Sequence, residues 1–207
     1  MARPRAADYD EKRAHILHAS AELFSAHGYD RTSINDIAGA CGVSKALIYH
    51  YYPNKEQLLV DIIGRHLAHL VETVEQAAEG TQPGDQRLRA IVGALLEAYR
   101  DADTLHKIQV SELSRLPQAH QDELKAVERA LVGKFSQALA EAVPELSHNS
   151  RLLKPVTMSL FGMLNWHYMW FRPDGPMSRE AYAELATGLI LAGARDVAAR
   201  SRLAAAE

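Results

Sequence analysis

The feature that most constrains this chain is a run of helix punctuation in TSINDIAGACGVSKALIYHYYPNKEQ, residues 32–57. Ser33 with Asp36 three residues later reads as a capping box that opens a short helix. Gly42 breaks that helix, and Ser44 caps a second one that ends before Pro53. Asn54, with Gln57 three later, caps a long helix over about 55–79. Two short helices that cross steeply need a small residue where they touch, and Ala38 stands there. Four positions on, the turn needs a residue that tolerates positive φ, and Gly42 stands there. Ile37, Val43 and Ile48 fall where apolar anchors must hold the second helix to the first, and Ile34 and Leu47 add to that core. This is the spacing of a helix-turn-helix over residues 34–52.

The outward face of the second helix is then Ser44, Lys45, Ala46, Tyr49, His50 and Tyr51. Lys45 can reach a phosphate or a guanine edge, and Ser44 lies near a helix N-terminus, where backbone N–H groups favour phosphate. Tyr49 and His50 can hydrogen-bond phosphate, and an aromatic edge can touch a thymine methyl. Lys55, at the capped start of the long helix, makes a second phosphate clamp. Arg3 and Arg5 could reach an adjacent minor groove or backbone. An Ala-x-x-x-Gly turn also joins short helices that read nothing, and two tyrosines beside a proline also serve as packing. Spacing favours double-stranded DNA as the partner without deciding it.

The rest of the chain supports an all-α fold. Ala, Leu and Glu are abundant, Gly and Pro are sparse, and no Val/Ile/Thr run alternates with polar residues. Residues 1–7 read as a flexible arm. Helices are expected over 8–27, the two short segments, 55–79, 86–101, 104–115, 118–142, 150–171 and 179–201, about nine in all. The first has acidic Asp8, Asp10 and Glu11 at its start. The 207 residues suit one globular unit or two small ones, divided here into a three-helix domain, 1–54, and a C-terminal helical domain, 55–207. Pro155 falls near the start of the penultimate helix, where it is tolerated or produces a kink.

Charge limits how such a chain could hold DNA. The net charge is −3, and residues 1–58 balance seven Lys and Arg against seven Asp and Glu. A broad basic footprint is absent, so affinity has to come from a few placed groups, presented more than once. The single Cys41 permits no internal disulfide, MARPRAADYDEKR has no apolar signal core, and no apolar run reaches membrane-span length. A cytoplasmic protein without a membrane partner is expected. Enzyme signatures are missing: there is no phosphate-cradling Gly-rich loop, HExxH or G-x-S-x-G. His66 and His69 are spaced like a metal pair but lack an evident third ligand, so no metal, cofactor or catalytic residue is expected.

The segment AELFSAHGYDRTSINDIAGACGVSKALIYHYYPNKEQLL resembles the N-terminal signature of the TetR family of transcriptional regulators nearly end to end, over about residues 11–60. The resemblance implies a helix-turn-helix domain, a C-terminal ligand-binding and dimerisation domain, and a homodimer released from a palindromic operator by a small effector. It maps DNA contacts onto Ser44, Lys45, Ala46, Tyr49, His50 and Tyr51, a phosphate-contacting lysine onto Lys55, and a phosphate-side capping position onto Thr32 and Ser33. Where many members carry Gly after the lysine, this chain has Ala46, which leaves the operator sequence open.

Core positions Tyr99, Leu105, Ile108, Leu113, Leu116, Val127, Leu131, Phe135 and Leu139 fall on helical faces farther along. The segment MSLFGMLNWHYMWFRPDGPMS, 158–178, holds both tryptophans. Such a segment lines an adaptable apolar pocket, fills a core or anchors an interface. Its order resembles the acyl-CoA-responsive subgroup, which includes repressors of fatty-acid, phenylacetate and steroid-ring degradation. A multidrug or other hydrophobic-effector sensor is the alternative. Ligand candidates are Tyr99, Arg115, Met163, Trp166 and Trp170, with Arg65, Lys107 and Arg172 as further basic groups for CoA phosphates. The last helix carries Ala181, Leu185, Gly188, Leu189, Ala192 and Gly193 along one stripe. That stripe packs inside the monomer or forms a two-fold interface with the penultimate helix. The interface is favoured, because one helix-turn-helix needs doubling to specify a site.

Overall fold

The computed structural model describes residues 3–100, 102–147, 150–172 and 174–205, with the side chains of 3–8, 150 and 203–205 left out. Ten α-helices and two 3₁₀ turns make up the described chain, and no strand occurs among the described residues. The helices are α1 (Arg3–His27), α2 (Ile34–Cys41), α3 (Lys45–Tyr51), α4 (Lys55–Ala78), α5 (Asp85–Ala98), α6 (Asp103–Glu112), α7 (Gln118–Ala142), α8 (Pro144–Ser147), α9 (Ser150–Asn165) and α10 (Arg179–Ala205).

Several boundaries differ from the expected ones. The arm is helical from Arg3, because Pro4 in a first turn costs no hydrogen bond and Ala6 and Ala7 favour helix. Asp8, Asp10 and Glu11 therefore lie one turn or more inside α1 rather than at its start. Pro144 opens the short α8 instead of merely separating neighbours, which is the position proline tolerates best. The penultimate helix stops at Asn165, six residues early, and a 3₁₀ turn over His167–Met169 follows.

The chain forms two compact units, Met1–Ala68 with Asp101–Ala126, and His69–Arg100 with Val127–Glu207. The expected boundary after residue 54 falls inside the first of these units. In the first unit the start of α4 is pinned to the helices before it: Arg13 and Tyr52 both bond Asp61, and Lys55 reaches the carbonyl of Tyr29. The α6 region is pinned to the end of α1 and the loop after it, by Lys107 on the Ser25 carbonyl and by an Arg115–Asp30 ion pair. Its core holds Ile16, Phe24, Ile37, Ile48, Leu58, Leu59 and Ile63, all nearly inaccessible.

The second unit is built on one apolar cluster from the end of α4, α5, the later part of α7, α8, α9 and α10. Phe135 and Phe161 meet edge to face at 4.9 Å within it. Its surface has an apolar face left uncovered by this chain. Met158 and Gly162 are exposed along α9 and Trp166 just after its end, and Leu185, Leu189, Ala192 and Gly193 along α10. The inward sides of the same helices carry Leu160, Phe161, Leu164, Ala186, Leu191 and Ala194, all buried. Packing inside the monomer therefore does not account for the small-residue stripe of α10.

Candidate nucleic-acid interface

The turn between α2 and α3 is set by Gly42, with φ 65° and ψ 31°. A Cβ there would meet nothing within 4 Å, so the left-handed backbone and not crowding calls for glycine. The Gly42 N–H donates to the α2 carbonyls of Ala38 and Gly39, and the Val43 N–H donates to Ala38 at 3.0 Å. Ser33 and Asp36 complete the expected capping box, which holds the exposed Asp36 carboxyl below the usual carboxylate range. Ser44 caps α3 by accepting from the Leu47 N–H at 3.2 Å. Ile48, fully buried, anchors α3 from its inner side.

This leaves Ser44, Lys45, Ala46, Tyr49 and His50 exposed on one face of α3. Tyr49 is 47% accessible, large for an aromatic ring, and the Lys45 ammonium lies 5.8 Å from its centroid. Tyr51 is half-buried and packs on Tyr9 of α1, centroids 4.6 Å apart, with His50 edge-on to Tyr51 at 5.3 Å. Tyr51 thus braces α3 against α1 more than it faces outward. Arg3 and Arg5 carry side chains outside the described set.

Beside this face lies a cavity of about 380 Å³ bordered by Asp30, Arg31, Thr32, Ser33, Ile34, Tyr49, Pro53, Asn54 and Lys55. The N-termini of α2 and α4 both border it, and such termini present N–H groups that suit phosphate. Asn54 Oδ1 uses one of them, the Gln57 N–H at 2.8 Å.

Three expected contacts are redirected here. The Thr32 hydroxyl is buried and donates inward, to the Gly28 carbonyl at 2.9 Å with that of Leu23 at 3.3 Å. The Ser33 hydroxyl is spent on Asp36, at 2.7 Å. Lys55 is half-buried, and its ammonium donates to the carbonyls of Tyr29 (2.7 Å) and Thr32 (3.0 Å), 4.2 Å from the Tyr29 ring centroid. Burial, with Glu56 and Asp30 nearby, holds the Tyr29 hydroxyl above its usual range. Thr32, Ser33 and Lys55 therefore shape the cradle, and their polar groups are already engaged. Arg31, which sequence spacing does not single out, is better placed: it is exposed, and among the described residues its guanidinium bonds only through Nε, to the His27 carbonyl at 2.7 Å. Its position in the loop just before the cap was the one available signal.

The ligand candidates are divided between the two units. Tyr99 is buried in the second unit, with its hydroxyl donating to Asn165 at 2.8 Å, and burial holds its pKa above the usual range. Met163 is partly buried against the same core. Trp166 and Trp170 stand 61% and 46% exposed. Arg115 belongs to the first unit and pairs with Asp30, and Arg65 pairs with Asp61. His66 is buried and His69 exposed, so these two do not form a metal pair, and no group of three metal-binding side chains occurs among the described residues. The second unit has a cavity of about 390 Å³, but Glu75, Glu79, Arg87, Lys134 and Gln137 give it a charged border, with Ala78, Ile91 and Ala138 completing the lining.

Comparison with known proteins decides the family. Residues 16–62 match the profile of bacterial regulatory proteins of the tetR family, and residues 81–194 match a tetracyclin repressor-like C-terminal domain. The chain belongs to the TetR family. It is therefore a transcriptional regulator, not an enzyme. A TetR-family transcriptional regulator from Bordetella parapertussis is 36% identical with a TM-score of 0.81, over 86% of this chain and 93% of that one. The transcriptional activator FasR of Mycolicibacterium smegmatis is 28% identical over 176 residues, 84% of this chain and 79% of FasR. AibR, solved with isovaleryl coenzyme A and operator DNA, is 26% identical with a TM-score of 0.72, over 86% of this chain and 97% of AibR. No described helix of this TetR-family chain is long and apolar enough to cross a membrane.

Proposed function

We propose that this chain is a cytoplasmic repressor that binds a palindromic operator as a homodimer and leaves it when a small effector binds. Residues 1–54 read the DNA, and residues 55–207 carry the effector and dimer functions. The observation that carries this reading is the exposed face of α3, with Lys45, Tyr49 and His50 held outward by the Gly42 turn and the Ile48 anchor beside the cradle. Lys45, Ala46, Tyr49 and His50 enter the groove. Arg31 and the α2 and α4 N-termini receive phosphates, with Thr32, Ser33, Ser44, Tyr51 and Lys55 keeping them in place.

The dimer forms through the uncovered face of α9 and α10, where Gly162, Ala192 and Gly193 allow close helix approach and Met158, Trp166, Leu185 and Leu189 supply apolar area. The effector is an acyl-CoA thioester of a catabolic pathway. The likeness to AibR supports this class. A multidrug or hydrophobic-effector sensor controlling an efflux gene is the second reading. It is favoured by the engagement of Arg65, Lys107 and Arg115 on protein acceptors, which leaves fewer cations for CoA phosphates.

The test is a band shift on the gene's own upstream region, with and without isovaleryl-CoA and free isovalerate. Release by the thioester alone supports the acyl-CoA reading. Release by the free acid alone overturns it. A promoter fusion should rise when the gene is deleted, and a fall would make this chain an activator, as FasR is named.

A further inference from the structure

The hydroxyl of Tyr52, at the end of the recognition helix, sits on a carboxylate of α4 that an α1 arginine also holds. Tyr52 closes α3 through its own N–H, which donates to Ile48 at 2.9 Å, and its ring is 2% exposed. Its hydroxyl donates to Asp61 Oδ2 at 2.7 Å and accepts from Arg13 Nε at 3.0 Å. Arg13 Nη2 bonds the same Asp61 oxygen at 2.7 Å, and Arg65 Nε approaches it at 3.4 Å. Burial and the bond to Asp61 keep the phenol protonated, well above its usual range. All four groups belong to the first unit.

We propose that Tyr52, Arg13 and Asp61 form a positioning joint that sets the angle at which α3 is presented, so that sequence discrimination, more than DNA affinity in general, depends on the Tyr52 hydroxyl. None of the three needs to touch DNA. The reason is geometric. Phosphate contacts from flexible cations and loop termini tolerate small rotations of a helix, whereas hydrogen bonds to base edges do not. A single hydroxyl linking the C-terminus of α3 to both α1 and α4 is the point where such a rotation would be resisted. The same joint links α3 to α4, the helix that begins directly after it. A partly exposed ion pair alone would resist little, but a buried hydroxyl bridging it is costly to leave unmatched.

The inference rests on the DNA-reading role of α3. The test uses the full chain and a duplex that the wild-type protein selects from a random pool, with a scrambled duplex of equal length as reference. Tyr52→Phe keeps the ring and should remain folded, with a modest fall in Tm. Its affinity for the selected duplex should fall about tenfold while that for the scrambled duplex changes by less than about twofold. Asp61→Asn should give the same pattern, and the double variant should be far less than additive, because both remove one joint. If both variants keep the wild-type ratio of selected to scrambled binding, the joint does not position α3. An equal fall on both duplexes would likewise overturn it, marking a general folding role. A wild-type protein that selects no sequence would instead overturn the DNA-reading role itself.

Discussion

Lys45 and Lys55 carry the same charge ten residues apart, yet their surroundings give them different work. Lys45 is exposed on the outer face of α3, with its ammonium 5.8 Å from the Tyr49 ring centroid. Lys55 has its ammonium directed into the carbonyls of the α1–α2 loop and stacked on Tyr29. Replacing a lysine that neutralises a phosphate lowers the dependence of log affinity on log salt by about one unit. Lys45→Ala should show that loss. Lys55→Met should weaken binding at every salt concentration, because the loop loses its clamp, and should leave the slope unchanged. The check is a titration of operator binding across salt for both variants, and a unit fall in slope for Lys55→Met would return it to a phosphate contact.

At the scale of elements, the connection between α9 and α10 is stiffened by a buried imidazole. His167 is 1% exposed and stacks on Phe171 at 4.2 Å, with Tyr182 at 5.0 Å and Trp170 at 5.3 Å. Its Nε2 has no hydrogen-bond partner among the described residues. The Arg179 guanidinium lies 4.6 Å from the Phe171 ring centroid. Burial first, and then the Arg179 charge, push the His167 pKa down to about 4. The unfolded chain takes up that proton near 6.5, so the unfolded state binds more protons between 6.5 and 4. Stability from this group is complete above pH 6.5, falls by at most about 1.4 kcal/mol per pH unit as pH drops toward 4, and is flat below. His167→Phe keeps the stack and should flatten the wild-type fall in Tm over that window. Equal pH profiles for the two proteins would contradict the buried neutral imidazole.

Elements also show what was legible in the sequence. Capping residues and a left-handed glycine act within one turn of chain, so α2, the turn and α3 could be read from spacing at Ser33, Asp36, Gly42 and Ser44. The inner and outer faces of α3 followed from the position of Ile48. Asp61 could not be assigned, because its value comes from Arg13 and Tyr52, forty-eight and nine residues away. Thr32 and Lys55 both border the cradle, but the direction of a hydroxyl or an ammonium depends on carbonyls that spacing does not display. The sequence around Trp166 and Trp170 suits a pocket, a core or an interface equally, and only burial separates these: both stand on the surface.

For the whole molecule, residues 1–58 balance seven cations against seven anions, so one copy of α3 has little long-range attraction for DNA, and the proposed dimer would attach its second copy at the exposed face of α9 and α10. Leu189 is 58% exposed, so Leu189→Arg should leave the fold of each chain intact. It should halve the mass measured by light scattering and lower operator affinity by about a hundredfold, because two tethered contacts become two independent ones. A variant that stays dimeric would place the interface elsewhere.

The most direct measurement is a hydroxyl-radical footprint of the purified protein on a duplex it has selected from a random pool. Two protected half-sites related by two-fold symmetry, with centres separated by a whole number of helical turns of about 10 base pairs each, are expected of a dimer presenting α3 twice. A single asymmetric protected site, or uniform protection without boundaries, would contradict it.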